Sequence, residues 1–360
     1  MNRPQVSVLM PVLDEERSVA GAITTALAQA EHGVDLEVLV MNGPSADATG
    51  EIVSEIAARD PRVRLLDNPE RSIPTGLNIG LAAARGEYVA RVDGHASISH
   101  DYAARALRHL EADEGLAGVG GIRHGVARTP QGRAVSLALS SPFGVGNSIN
   151  HFGKEFRETD HASFGVYRAD AAREVGGWDE SLLVNEDVDF DHRLLARGYR
   201  IAFDPEMAVY WHVRESVPDF FHQYRRYGRG KAAMVRKNGR EAIRARHLAA
   251  PVAVVGTAGL ALLAIRHPRL AAAAYSPYLA GVGAATVHAW RRRGDLQPEP
   301  GAPRDTSVSV PSLPGSFVAM HYGWGLGFLE GYLLGKEPAR SSQRTSSAPR
   351  PTALTAPRAR

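Results

Sequence analysis

Apolar positions along the chain follow two rhythms. Runs at 6–10 and 36–41 are short and almost continuously apolar, the pattern of strands buried on both faces. Weaker runs of the same kind lie at 63–66 and 88–93. Between the first two, residues 15–30 set Val19, Ile23, Ala26, Leu27 and Ala30 on one helical face. Residues 47–59 do the same with Ile52, Val53, Ile56 and Ala57, and Ser45 and Asp47 are candidate helix caps. Residues 74–85 and 101–112 read as two further helices. Strand and helix in alternation, joined by short loops, predict a mostly parallel sheet in an α/β domain. Residues 113–221 are less regular. Strands are expected at 118–122 and 198–203, a polar helix at 186–197, and mainly loop with one short helix over 129–153, which is rich in Gly, Ser and Asn.

Farther on the rhythm changes again. Residues 248–265 hold no charge over 18 positions and residues 270–290 none over 21, and both reach the length of a membrane span. Only Arg266-His267-Pro268-Arg269 separates them, a tight turn, and Arg291-Arg292-Arg293 follows the second. The soluble alternative, helices inside a large core, draws on their high Ala and Gly content. A third apolar and Gly-rich segment, 316–334, contains His321 and Glu330. Residues 337–360, rich in Ser, Pro, Thr, Ala and Arg, predict disorder.

Composition narrows the function classes. The 360 residues are 44% hydrophobic and 22% charged, as in folded proteins. There are no cysteines, which excludes a disulfide scaffold, a thiolate zinc site, an iron–sulfur cluster and a cysteine nucleophile. The first residues lack the basic start, long apolar run and small-residue cleavage site of a secretory signal, so none is expected there. The net charge of +3 conceals an asymmetry: about −12 over 1–221, about +8 over 222–247 and about +7 over the rest. An acidic main domain argues against a nucleic-acid binder.

Ligands of α/β sheets gather at the carboxyl ends of the strands. The loops expected there are Pro11-Val12-Leu13-Asp14-Glu15, Asn42-Gly43-Pro44-Ser45-Ala46-Asp47 and Asp93-Gly94-His95. Carboxylates, a carboxamide and an imidazole brought into one cleft can hold a nucleotide and a divalent cation. Asp187-x-Asp189-x-Asp191 invites a calcium-loop reading, which fails because His192 stands where the loop needs Gly and Gly198 where it needs a bidentate Glu.

Taken in order, these loops and five further elements resemble the family 2 glycosyltransferases of GT-A fold, in particular the membrane-associated succinoglycan-biosynthesis type. The further elements are Asp67-Asn68-Pro69, Gly76-Leu77-Asn78-Ile79-Gly80 with Arg85-Gly86, Gly176-Gly177-Trp178-Asp179-Glu180, Glu186-Asp187, and Gln223-Tyr224-Arg225-Arg226-Tyr227-Gly228. The resemblance implies a GT-A catalytic domain over 1–221, a basic juxtamembrane segment over 222–247, hydrophobic membrane-associated helices over 248–335 and a tail over 336–360. It implies inverting transfer from a nucleotide-diphosphate sugar, a UDP-sugar in the first instance, to a polysaccharide or lipid-linked saccharide, as in exopolysaccharide or envelope glycan synthesis. Pro11, Leu13, Glu15, Asn42, Asp47, Asn78, Arg85 and Asp93 would contact the donor. Asn42 stands where the family usually has an Asp that reads uracil, and Asp14 where it usually has Asn. Asp93 and His95 would hold a divalent cation, Mg or Mn. Asp187 would be the general base, with Glu186 beside it. His161, Trp178, Gln223, Arg226 and Tyr227 would face the acceptor.

The resemblance also implies a protein at the cytoplasmic membrane with its catalytic domain toward the cytoplasm, in keeping with the positive charge of 222–247. A simple hairpin would, however, put Arg266 and Arg269 on the far side. Two other readings compete. A nucleotidyltransferase would carry a Gly-rich, Arg- or Lys-bearing phosphate loop after the first strand, and 11–15 has none. A catalytically drifted, membrane-anchored nucleotide-sugar-binding protein would accommodate the departures at Asn42 and His95.

Overall fold

The computed structural model describes residues 5–239, 243–298 and 300–338. From residue 339 onward the tail expected at 336–360 lies outside them. The strands are β1 (Val6–Val12), β2 (Leu36–Asn42), β3 (Val63–Asp67), β4 (Tyr88–Arg91), β5 (Ala96–Ile98), β6 (Leu116–Val126), β7 (Arg157–Thr159), β8 (Val166–Arg168) and β9 (Arg200–His212). The α-helices are α1 (Val19–Leu27), α2 (Thr49–Arg59), α3 (Ile73–Ala83), α4 (Tyr102–Ala112), α5 (Pro130–Leu139), α6 (Pro142–Val145), α7 (Ala169–Glu174), α8 (Glu186–Ala196), α9 (Val217–Asn238), α10 (Ala245–Ala264), α11 (Pro268–Arg291) and α12 (Ser312–Leu334).

All nine strands join one sheet in the order β3-β2-β1-β4-β8-β6-β9-β5, with β7 also on β9. The β3-β2-β1-β4 half is parallel, and β8 enters antiparallel between β4 and β6. Every residue of β1 is buried, and its period-two alternation feeds two cores. Val6, Val8, Met10 and Val12 pack with α1, α2 and α4, whereas Leu9 packs with α3, α7 and α8. Helices thus cover both faces, which is why the parallel strands read as unbroken apolar runs.

Three expectations change. Residues 129–153 are more helical than expected. Thr129 caps α5 by accepting from Gly132 N, Pro130 opens the helix, and all but its first two residues are buried. Ser45 is not a cap, because its hydroxyl joins the β1 and β2 loops as described below. The strand expected at 198–203 runs on to His212, with a register shift against β6 at Gly121/Ile122 that absorbs Pro205-Glu206-Met207.

Helix α9 passes without a break from 217 to 238, through the change in charge at 221/222. Its basic residues are largely spent on protein contacts. Arg225 and Arg229 both pair with Glu330 of α12, and Arg226 donates to the Leu183 carbonyl at 3.1 Å. The two uncharged segments form α10 and α11, long and apolar enough to cross a membrane. Their bases pack on α12, through Ala285 and Ala289 of α11 and the backbone of Ala250 against Gly325. Their tip stands exposed, with Leu262, Ile265 and Leu270 each more than half accessible.

Candidate active site

The β1 and β2 loops meet at the carboxyl end of the sheet and are knitted together. Asp14, at φ 56°, donates its N–H to Ser45 Oγ at 3.0 Å and accepts from Ala46 N at 2.7 Å. Ser45 Oγ in turn donates to Asn42 Oδ1 at 2.9 Å. Glu15 N donates to Thr49 Oγ1 and Glu16 N to Asp47 Oδ2. Burial pushes the Asp47 carboxyl up, but hydrogen bonds from the Thr49 hydroxyl and from the N–H groups of Glu16 and Thr49 outweigh it and hold the carboxyl below the usual range. A hollow of 240 Å³ lies here, lined by Asp14, Glu15, Glu16 and Asp47 among others. Pro11 of β1 lies against Gly76 of α3, and Leu13 lies against Gly43.

β4 delivers the next group. Arg91 donates to Asp93 Oδ1 at 3.0 Å and to Glu186 Oε1 at 3.0 Å, so one guanidinium bridges the end of β4 and the start of α8. Gly94 has no room for a side chain: a Cβ there would lie 2.6 Å from Val12 Cγ1. The close approach brings His95 Nδ1 to 2.8 Å from Glu15 Oε1. Burial disfavours the imidazolium, but the Glu15 carboxylate outweighs it and raises the His95 pKa.

α8 supplies the third group. Asp187 Oδ2 lies 3.7 Å from His161 Nε2, and His161 Nδ1 lies 2.6 Å from Asp191 Oδ2. Asp191 is fully buried and also accepts from Tyr167 Oη and Ala162 N, both at 2.8 Å. Burial pushes the Glu186 carboxyl up, and the charge of Asp187 adds to this against Arg91. For Asp187 burial acts the same way but loses to His161, Arg91 and the N–H of Val188, so its carboxyl sits below the usual range. The two adjacent acids are thereby shifted in opposite directions, Glu186 up and Asp187 down. His161 is raised: burial opposes its charge, and Asp191 and Asp187 more than restore it.

The sequence-expected residues divide accordingly. Pro11, Leu13, Glu15, Asn42, Asp47, Asp93, His95, Glu186, Asp187 and His161 stand along this edge. Arg85 does not. It lies before β4 at the opposite end of the sheet, where its guanidinium and N–H bind the buried Glu37. Asn78 is a clamp: it exchanges hydrogen bonds of 2.8 Å with the backbone of Trp178 and donates to Glu180. Trp178 is a core residue, 3% exposed and stacked on Phe190 with ring centroids 4.4 Å apart. Gln223 and Tyr227 bond each other at 3.1 Å on α9, and Arg226 reaches the loop that precedes Glu186. Arg91 and Asp191 were missed by sequence reasoning. Arg91 carried a signal, a charge at the end of a buried strand that demands partners. Asp191 carried another, one helical turn after Asp187 on the same face.

Asp93 and His95 fit a divalent cation in part. Glu15 holds Nδ1 of His95, leaving Nε2 as a ligand atom backed by a carboxylate, a common arrangement at metal centres. Among the described residues no cluster of three or more His, Asp or Glu is arranged around one point. Two protein ligands suffice where substrate phosphates complete the shell.

Residues 7–176 match the profile of Glycosyl transferase family 2. The chain is similar to the succinoglycan biosynthesis protein ExoA of Rhizobium meliloti (strain 1021), 32% identical over 260 residues, which is 72% of this chain and 78% of that one. It is similar also to the dolichyl N-acetyl-alpha-D-glucosaminyl phosphate 3-beta-D-2,3-diacetamido-2,3-dideoxy-beta-D-glucuronosyltransferase of Methanococcus voltae, 23% identical over 64% of this chain and 74% of that one. In structure it resembles the mannosyltransferase PcManGT of Pyrobaculum calidifontis, solved with GDP-Man and Mn2+, at a TM-score of 0.60 and 21% identity, over 93% of this chain and 89% of that one. That likeness is one of fold, and the fold is GT-A. The 32% identity to the first relative over 78% of its length, with the profile match over 7–176, identifies this chain as a member of glycosyl transferase family 2.

Proposed function

We propose that the protein is an inverting, metal-assisted glycosyltransferase. It takes a sugar from a nucleotide-diphosphate sugar and passes it to a polysaccharide or lipid-linked saccharide at the cytoplasmic face of a membrane, in exopolysaccharide or envelope glycan synthesis. The observation that carries this reading is the placement of Asp187 at the start of α8, 3.7 Å from His161 and beside Glu186, which Arg91 ties to Asp93 at the end of β4. Asp187 takes the proton of the acceptor hydroxyl as that oxygen bonds to the anomeric carbon. The nucleoside diphosphate leaves from the opposite face, and the centre inverts. His161, held by Asp191, keeps Asp187 charged and oriented. The β1 and β2 loops, with Asn42, Asp47 and Glu15, hold the nucleotide. A divalent cation held by Asp93 and His95 would neutralise charge on the departing diphosphate.

Membrane action is supported by the exposed apolar tip of α10 and α11, and by the dolichyl sugar phosphate in the name of the Methanococcus voltae relative. The donor nucleotide is the open choice, since Asn42 offers a carboxamide where the family usually offers a carboxylate. A thermal-shift panel of UDP-, GDP- and other nucleotide sugars, with and without Mn²⁺, tests the reading. One nucleotide class should stabilise the protein in a metal-dependent way. Stabilisation by none would sink the proposal, and stabilisation by GDP-sugars alone would sink its uridine form.

A further inference from the structure

Among the described residues the Asp93 carboxylate bonds to Arg91 alone, and Arg91 faces both of its oxygens. Nε lies 3.0 Å from Oδ1 and Nη2 3.5 Å from Oδ2. The pair is nearly dry, with the Arg91 side chain 11% exposed and that of Asp93 15%. Water screens it little, and a charge-assisted fork is among the stronger hydrogen-bonded pairs. The backbone beneath is fixed. Arg91 stands in register with Leu9 of β1, and its N–H donates to the Gly165 carbonyl at 3.1 Å. The guanidinium nevertheless has a second anchor, Glu186 Oε1, at 3.0 Å from Nη1. It can therefore release Asp93 without becoming a buried charge that lacks a counter-ion.

A bare divalent cation that approaches Asp93 meets a carboxylate already neutralised, and it is repelled by the charge of Arg91. A cation that arrives with a nucleoside diphosphate has its charge offset by the phosphates and meets little repulsion. We propose that Arg91 determines what the cation site admits: by occupying Asp93 it refuses the bare ion and accepts the ion together with the diphosphate. Arg91 acts through Asp93 and is a positioning residue. The identity of the ion's companion rests on the glycosyltransferase reading, whereas the hold of Arg91 on Asp93 can be tested with the metal alone.

The full chain in detergent is titrated with Mn²⁺ at fixed pH, alone and with UDP or GDP, and the free ion is read by electron paramagnetic resonance against protein-free mixtures. Arg91→Met should bind bare Mn²⁺ about tenfold or more tightly than the wild type, and the two should converge once a nucleotide is present. Arg91→Lys keeps the charge and should stay within about threefold of the wild type for bare Mn²⁺. It carries the test if Arg91→Met fails to fold. Bare Mn²⁺ bound equally or more weakly by Arg91→Met, or no longer bound by Arg91→Lys, would mean that the guanidinium only props Asp93, and the proposal falls. A difference between wild type and Arg91→Met that persists undiminished with nucleotide overturns the selection of the ion–diphosphate pair. Failure of both nucleotides to alter Mn²⁺ binding counts against the glycosyltransferase reading, whereas tightening in Arg91→Met would still assign Arg91 its hold on Asp93.

Discussion

Helix α12 and the α10–α11 hairpin are alike in length and apolar character, yet they meet opposite fates. α12 lies against α9 at backbone distance. A Cβ on Gly323 would come within 2.7 Å of the Phe221 carbonyl, and Gly327 faces the Arg225 backbone with no space at all. Glu330, placed among these glycines, binds Arg225 and Arg229. The hairpin has Gly256, Gly259, Gly281 and Gly283, and nothing lies within 4 Å of a Cβ on any of them. Glycine in α12 is a packing device, whereas in the hairpin it meets no neighbour. Apolar content alone does not separate a helix that completes a folded unit from one left exposed. Small residues facing a partner backbone, with a charge that finds its counter-ion, do.

That contrast can be broken at several strengths. The most severe change falls on the folded unit's chemistry. Asp187→Asn should lower sugar transfer by about 10²–10⁴-fold in a radiolabelled-donor assay, with vesicle flotation as in the wild type. Flotation lost together with transfer would mean that the two regions are not separable. Next comes packing. Gly327→Leu should cost roughly 3 kcal/mol in chemical unfolding, because α9 has no space to yield. Gly281→Leu on the hairpin should leave unfolding unchanged, and equal costs would erase the distinction.

The smallest effect is one of pH. His161, facing Asp187 and Asp191 with Arg123 and His151 nearby, has its pKa raised above 6.5. Its protonated form therefore stabilises the fold fully below 6.5, and this contribution is lost as pH climbs through the raised value. His161→Gln should be less stable than wild type by about 2 kcal/mol on the acid side of 6.5, with the gap closing toward alkaline pH. A gap that widens with pH would refute the charged pairing.

The first hundred residues were legible because each buried strand there is a run of apolar residues and each helix shows a face. β5, β7 and β8 were not, since three residues carry no period. β9 was half seen because Asp204-Pro205-Glu206 interrupts its pattern, and only the register shift against β6 shows how the strand continues. In the site, Asp93, His95 and Asp187 could be named because short motifs carry them. Arg91 joins them only in three dimensions, through partners 2 and 95 positions away. Arg85 and Trp178 were misread for a related reason: a motif fixes a residue's place in the chain but not the direction of its side chain. Arg85 turns to Glu37 and Trp178 to Phe190.

α9 is gripped along its length, by Leu183 near the middle, by Asp189 through Asn238 at its end, and by Glu330 from α12. It is a stiff strut of 22 residues with no joint between the mouth of the catalytic site and the helices beneath. The spacing between the start of α8 and the feet of α10 and α11 is therefore fixed by construction.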